Sequence, residues 1–346
     1  MSIGNSTQRV WIETIVRRAF KNMEGSPGRN VRNLVDMALQ FSDGRFQTLF
    51  FKTTRRMLQD ETSAYYELFR SAVETVDQER LIQFGMNIGY NGCTAGAARI
   101  RETEAAQGFN IPWMISLHLD SVIYEANSER FHQVIAEGNE LGVYVWQVHC
   151  SDRPENLAPL FAAYPDNAFV LYCDTEHINE QMLQRLHPYC NLMLAIPIGQ
   201  NTAVACTQMR FHRMLYSLYY KYGPQDREKI LDGSLFHLAG TNHPIFTVLI
   251  PNAYCSAALR DEIHDYVLQT RMQQRYPFIA WDTPADDHFI DSVISGDGCV
   301  VGFDDCGNLF TENDAWETPE TNLHLQHLQD ILRFALPKYK EAPHGR

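Results

Sequence analysis

Three imidazoles, three carboxylates and two thiols of this chain stand directly behind apolar stretches, where a strand would end. They are His118 and Asp120, His149 and Cys150, Cys173 and Asp174, then His243 beside Asn242, and Asp282. Side chains of these types hold transition metals or act as general acid and base. Ser151, Asp152 and Arg153 follow Cys150 and extend the same candidate pocket. A polar residue at a strand end is more often a cap than a ligand. The set therefore marks a pocket, and no residue in it is assigned as catalytic or as a metal ligand.

Other motifs add little. The chain has no G-x-x-x-x-G-K-[ST], no H-E-x-x-H, no C-x-x-C and no G-x-S-x-G. Gly85, Gly89, Gly92 and Gly96 fit tight packing at a helix start better than a phosphate loop. His324 and His327 would share one face of the last helix, without a third ligand near them.

The candidate pocket depends on the elements that carry it. Apolar spacing near 3.6 predicts helices over 10–21, 30–41, 65–76 and 92–106, with a breaker at 25–28. The run 81–88 fits a strand or a buried helix equally. Beyond Gly108, strands are expected at 113–119, 143–148, 168–172, 192–196, 235–238, 245–250 and 278–281. Amphipathic helices separate them: one capped by Asn127 and Ser128 and stopped by Gly142, one over 178–186, and one over 256–274. Strands alternating with helices imply parallel β-α-β units. The fold class expected is α/β, a full or partial TIM-like barrel with an N-terminal helical region. Parallel barrels gather reactive groups at the C-terminal ends of their strands, which is where the pocket residues fall. A hairpin turning at Gly307, and a helix with Leu325, Leu328, Ile331, Leu332 and Ala335 on one face, complete the chain.

Composition sets the outer limits. The 346 residues carry 29 Lys and Arg against 42 Asp and Glu, a formal charge of −13. That field repels nucleic-acid backbones and anionic membranes, so neither is an expected partner. No run approaches about 18 apolar residues, so no transmembrane helix is expected, and no secretory signal is visible. Eight scattered cysteines fit reduced thiols, hence a cytoplasmic protein.

Residues 87–113, with Gly96-Ala-Ala-Arg-Ile-Arg101 and Gly108-Phe-Asn-Ile-Pro-Trp113, closely resemble the approach to the barrel in a group of bacterial radical S-adenosylmethionine (SAM) proteins. Similar stretches recur at 16–20, 33–37, 44–46, 138–144, 164–170, 304–310 and 322–331. The resemblance implies a radical-SAM-type barrel over 111–295, a helical region over 1–110, and a SPASM-like hairpin and helix over 296–346. It also implies a 4Fe–4S cluster and SAM as cofactors.

The departures from that family bear on function. Where it places C-x3-C-x2-C after the first barrel strand, this chain runs Asp120-Ser-Val-Ile-Tyr-Glu-Ala-Asn127, and no such triplet occurs anywhere. Thiolates are the usual cluster ligands. The family's Gly-Gly-Glu-Pro, which receives the ammonium of SAM, is matched by Ser151-Asp-Arg-Pro154, with Arg153 reversing the sign of the acid. In the tail, Thr311-Glu-Asn-Asp-Ala-Trp316 stands where relatives often have auxiliary-cluster cysteines. The expectation is a radical-SAM-like pseudoenzyme with neither cofactor, serving as a binding or partner subunit for a protein or peptide. Two alternatives stay open: an enzyme that reuses the barrel-mouth His, Cys and Asp residues, and a cluster-free SAM or nucleotide binder.

Overall fold

A computed structural model describes residues 3–21, 32–33, 35–36, 39–40, 45–311 and 314–338. Ten strands form one sheet: β1 (Met114–Leu119), β2 (Val145–Cys150), β3 (Ala168–Tyr172), β4 (Leu192–Pro197), β5 (Tyr216–Tyr222), β6 (Phe246–Pro251), β7 (Ile279–Asp282), β8 (Val301–Phe303), β9 (Leu309–Thr311) and β10 (Ala315–Trp316). Their order is β10-β9-β8-β1-β2-β3-β4-β5-β6-β7. β1 to β7 run parallel, as does β8 beside β1, while β9 and β10 are antiparallel additions. The sheet curls into a partial barrel whose end strands, β7 and β10, do not pair. The fold is α/β, as the alternating pattern predicts.

Period-2 alternation divides each strand between two faces. Ile115 and Leu117, Trp146 and Val148, Phe169 and Leu171, Leu194 and Ile196, and Leu218 are all fully or almost fully buried under the helices. Trp146 lies against Gly138 of the helix Ser128–Leu141, where a side-chain carbon on the glycine would collide with the indole. The alternate residues, among them Ser116, His118, Gln147, His149, Tyr172, Tyr219 and Lys221, face the concave lumen.

Expected strands at 113–119, 143–148, 168–172, 192–196, 245–250 and 278–281 are β1, β2, β3, β4, β6 and β7, displaced by two residues at most. Two corrections matter. Leu235–Leu238 is not a strand but part of the helix Ser234–Gly240. A four-residue apolar run does not separate the two states, and here Gly233 at φ 83° and the Asp232 carboxylate, which accepts from Ser234 N at 2.8 Å, start a helix. Conversely β5 is a strand that the pattern does not predict, because its tyrosines fill both faces and leave no apolar-polar alternation.

Ahead of the barrel, the ambiguous run 81–88 lies mostly in the helix Gln78–Met86, which begins at the Asp77 cap. It continues as a π-helix, Asn87–Gly96, and then the helix Ala97–Gln107. The Asn87 amide donates to the carbonyls of Pro165 and Asn167, and the Asn91 amide to that of Asp166, tying this segment to the turn before β3. Gly142 ends the helix Ser128–Leu141 at φ 106°, as expected. Asn127 offers that helix no side-chain cap; its amide donates back to the Ile123 carbonyl at 3.0 Å. The last helix is Leu328–Ala335, so His324 and His327 precede it and share no helix face, and Leu325 is exposed. The breaker at 25–28 and most of the helix expected over 30–41 lie outside the described residues. No described helix is long and apolar enough to cross a membrane.

Candidate functional site

Parallel register brings His118 opposite His149, and His149 opposite Tyr172. The two imidazoles lie 4.2 Å apart centre to centre, and His149 stacks on Tyr172 at 4.3 Å. Phe310 of β9 meets His118 at 5.1 Å, and Tyr219 of β5 meets Tyr172 at 5.3 Å. One band of rings thus crosses the lumen near the C-terminal ends of the strands. His118 and His149 make no hydrogen bond to any described residue, and neither do the hydroxyls of Tyr172 and Tyr219. Their polar edges are left to whatever the lumen holds.

Charge around the band is uneven. Burial lowers the His149 pKa well below the usual imidazole value, and His118 and the Lys221 ammonium add to the effect. His118 is lowered by desolvation and Lys221, while Asp304 and Asp305 oppose the shift. Both rings are held neutral, the state in which a nitrogen accepts a proton or a metal. On the far side of the lumen, Asp287 is lifted to about 7 by burial, against the hydrogen bonds from Trp281 and Thr283 and with help from Asp286 and Asp282.

The remaining pocket residues divide away from this pair. Alternation turns Cys150 to the helix face, where its thiol lies 3.5 Å from Asp152 Oδ1. Burial pushes Cys150 up to about 12 and raises Cys173, whose neighbour it is. Such thiols are inert toward electrophiles. Asp120 caps the next helix, accepting from Ile123 N at 2.7 Å. Asp152 accepts from Ser121 N at 2.7 Å and Ser121 Oγ at 2.5 Å. Burial alone would raise the Asp152 pKa, but the Ser121 bonds bring it down to about 2. Ser151 is exposed, its carbonyl 3.1 Å from His177 Nε2. Arg153 is exposed, 3.9 Å from Asp152, and Asp174 is exposed beyond β3. Asn242 and His243 are not at a strand top at all: with 235–238 helical, they enter β6 from its N-terminal end. Asp282 does end β7, yet it turns under the helix Ala257–Met272 to meet His264 Nδ1 at 3.1 Å.

No protein-family model matches the chain, and no curated protein matches it. Among solved structures it is similar to Streptococcus suis SuiB bound to S-adenosylmethionine, with a TM-score of 0.49 and 8% identity over 69% of this chain and 68% of that one. SuiB alone gives 0.49 and 10% over 69% and 70%. SuiB bound to precursor peptide SuiA gives 0.49 and 9% over 68% and 67%. Likeness at this level says nothing of chemistry.

Only one group of His, Cys, Asp and Glu among the described residues is close enough to share an ion: Asp304, Asp305 and Cys306, in the turn between β8 and β9. The His118–His149 pair lacks a third such ligand. Sequence reasoning misses Tyr172, Tyr219, Lys221, Asp287 and Phe310. Tyr172 is within its reach, as the lumen-facing residue before Cys173; Tyr219 and Lys221 require β5. Asp287 lies inside the helix Ala285–Ser295, and no strand-end rule would find it.

Proposed function

We propose that this chain is a cluster-free barrel of the radical SAM type that acts as a binding subunit for a protein or peptide and does not itself cleave SAM. The observation that carries the reading is the exit from β1. Asp120 leads straight into the helix Ser121–Ala126 and caps it, leaving no loop for three thiolates. Two thiols that follow neighbouring strands, Cys150 and Cys173, are buried and strongly disfavour ionisation, which a cluster ligand requires. Arg153, where the resembled family has an acid, supports the same reading for SAM. The band of unpartnered ring edges is the surface this reading gives to a ligand.

The test is anaerobic reconstitution with iron and sulfide, followed by SAM and dithionite. The expected outcome is no broad iron–sulfur absorption and no 5′-deoxyadenosine; stoichiometric cluster iron with 5′-deoxyadenosine would overturn the proposal. A second reading, acid–base or metal chemistry at the reused mouth, draws on the neutral His118–His149 pair. Elemental analysis of protein purified without chelator separates the two: about one equivalent of zinc, iron or manganese favours the enzyme. Calorimetric titration with SAM decides whether a cluster-free SAM site persists.

A further inference from the structure

Charge is unevenly divided along the chain. Residues 1–59 hold 10 Lys and Arg against 4 Asp and Glu, and residues 60–346 hold 19 against 38, so a region of +6 is joined to one of −19. Two described helices carry the basic part, Ile3–Lys21 and Arg45–Met57. The acids around them are engaged. Glu13 and Glu79 hold Arg17, Asp166 holds Arg9 at 2.8 Å, Asp36 holds Arg55 at 3.0 Å, and Glu61 lies 3.7 Å from Arg32. Asp60, in the turn after the second helix, accepts from Thr62 N and Oγ1. Arg18, Lys52 and Arg56 are exposed and make no ion pair with any described residue. The chain has acids to spare, yet none of the described ones reaches these three cations.

The inward faces of both helices are taken. Ile12 and Val16 pack on Ile82, Met86 and Tyr90, while Phe51 and Met57 join Leu58, Tyr65 and Leu68. The outward faces repeat one pattern at i, i+3 and i+7: Trp11, Thr14 and Arg18 on the first helix, Leu49, Lys52 and Arg56 on the second, each of them exposed. Each stripe begins with a large apolar side chain left in water, Trp11 at 48% and Leu49 at 46% exposed, and ends on an arginine without an acid. Beside the first stripe, Thr14, Arg17, Arg18 and Gln78 line an open cleft of about 450 Å³, a size that ligand pockets share.

We infer that the outward faces of the N-terminal helices dock an acidic, partly apolar peptide segment of a partner, its carboxylates on Arg18, Lys52 and Arg56 and its apolar side chains against Trp11 and Leu49. The inference rests on the reading of the chain as a binding subunit and adds a docking surface outside the lumen. Opposite charge speeds encounter and sets register, and the apolar contacts supply the affinity that screened surface pairs do not. A nucleic acid fits less well, because a long polyanion also meets the −19 of the remaining chain and its phosphates have no use for an exposed leucine. An anionic bilayer fits less well too. Ile12, Val16, Phe51 and Met57, the side chains that an interfacial helix would insert, are packed into the protein.

The experiment selects dodecapeptides from a random displayed library on the immobilised full chain, then measures the selected peptides in solution by fluorescence anisotropy. Peptides rich in Asp and Glu, with aromatic or aliphatic residues among them, are expected to bind tighter than about 100 μM and to weaken about tenfold between about 50 and about 500 mM salt. Arg18→Glu, Lys52→Glu and Arg56→Glu together should cost about tenfold or more. These side chains are exposed, so circular dichroism should show the same fold. If the triple variant does not fold, Arg18→Gln, Lys52→Gln and Arg56→Gln, which remove the charge without reversing it, decide by the same criterion. No selected peptide, peptides without a surplus of acids, or wild-type affinity for the variant overturns the inference. So does tighter binding of poly(U) or of phosphatidylglycerol vesicles than of any selected peptide, which assigns the basic faces to a nucleic acid or a membrane. Binding lost in His118→Ala with His149→Ala, but kept in the triple variant, overturns it as well and returns the partner to the lumen. None of these readings involves iron or SAM, so failure here leaves the cluster result untouched, and the reverse holds.

Discussion

Asp287 and Asp291 sit one helical turn apart, and both are buried carboxyls whose pKa is lifted to about 7, in each case first by desolvation. Asp291 is a joint. It accepts from Trp113 N at 2.8 Å and Cys299 N at 2.6 Å, joining the approaches to β1 and β8. The Asp287 carboxylate accepts only from Trp281 and Thr283, while its carbonyl accepts from Trp113 Nε1 at 3.1 Å. A carboxyl raised in the folded state holds its proton between the ordinary carboxylate range and about pH 7, while the unfolded chain has lost it. Each therefore contributes stability that is present at low pH and is lost as pH rises through about 7. In Asp287→Asn the amide oxygen still accepts from Trp281 and the amide nitrogen can donate to Thr283. The variant should be more stable than wild type at about pH 8, by roughly 1–3 kcal/mol, with little difference at about pH 5. Urea melts at the two pH values measure this, and equal midpoints at both would refute the burial argument.

At the scale of elements, the close approach of two backbones fixes how the N-terminal helices meet the barrel. Gly142 has φ 106°, and a side-chain carbon there would come 2.6 Å from the Gly96 carbonyl and 3.1 Å from Ile100. Gly142→Val then suffers both a left-handed backbone and a collision between the helix Ser128–Leu141 and the start of the helix Ala97–Gln107. We expect a loss of about 2–4 kcal/mol, read as a fall in thermal midpoint; an unchanged midpoint would disprove the packing. This stop is legible in the sequence because glycine after the last apolar residue of a helix has one common cause. The strands are legible for a similar reason: their helix-facing rows are continuous Val, Ile, Leu and Phe. β5 is not, since tyrosine serves a buried face as well as a lumen. The residue order alone puts His118 and His149 at the mouth, but their contact depends on the register of β1 on β2. The separation of Cys150 from them follows from period-2 alternation, which needs nothing beyond the order of residues along one strand. The unpaired charge of Asp287 cannot be read from the sequence at all, because it depends on which cations Asp282 and Asp286 take.

For the whole molecule, the open edge of the barrel decides what the N-terminal region is for. β7 ends the sheet, and an uncovered edge strand recruits other chains. Here Met57, Leu58, Tyr65 and Leu68, from the helices Arg45–Met57 and Tyr65–Thr75 and the turn between them, form a separate apolar cluster against Ile245 and Ile279. The seam is also polar: Tyr65 Oη donates to the Arg271 carbonyl at 3.3 Å, Ala64 N to the Gln274 carbonyl at 3.4 Å, and Asp77 N to the Arg213 carbonyl at 2.9 Å. Removing residues 1–76 would take this cluster away and bare Ile245, Ile279 and the β7 edge together. With each buried large apolar side chain worth about 1.5–3 kcal/mol, four of them amount to much of the stability of an ordinary domain. The truncated chain should therefore self-associate or melt without cooperativity, seen by size-exclusion chromatography and circular dichroism. A monodisperse monomer melting within about 3 °C of the full chain, less than about 1 kcal/mol at this size, would mean that the barrel closes its edge by itself. The N-terminal helices would then be free to serve a partner.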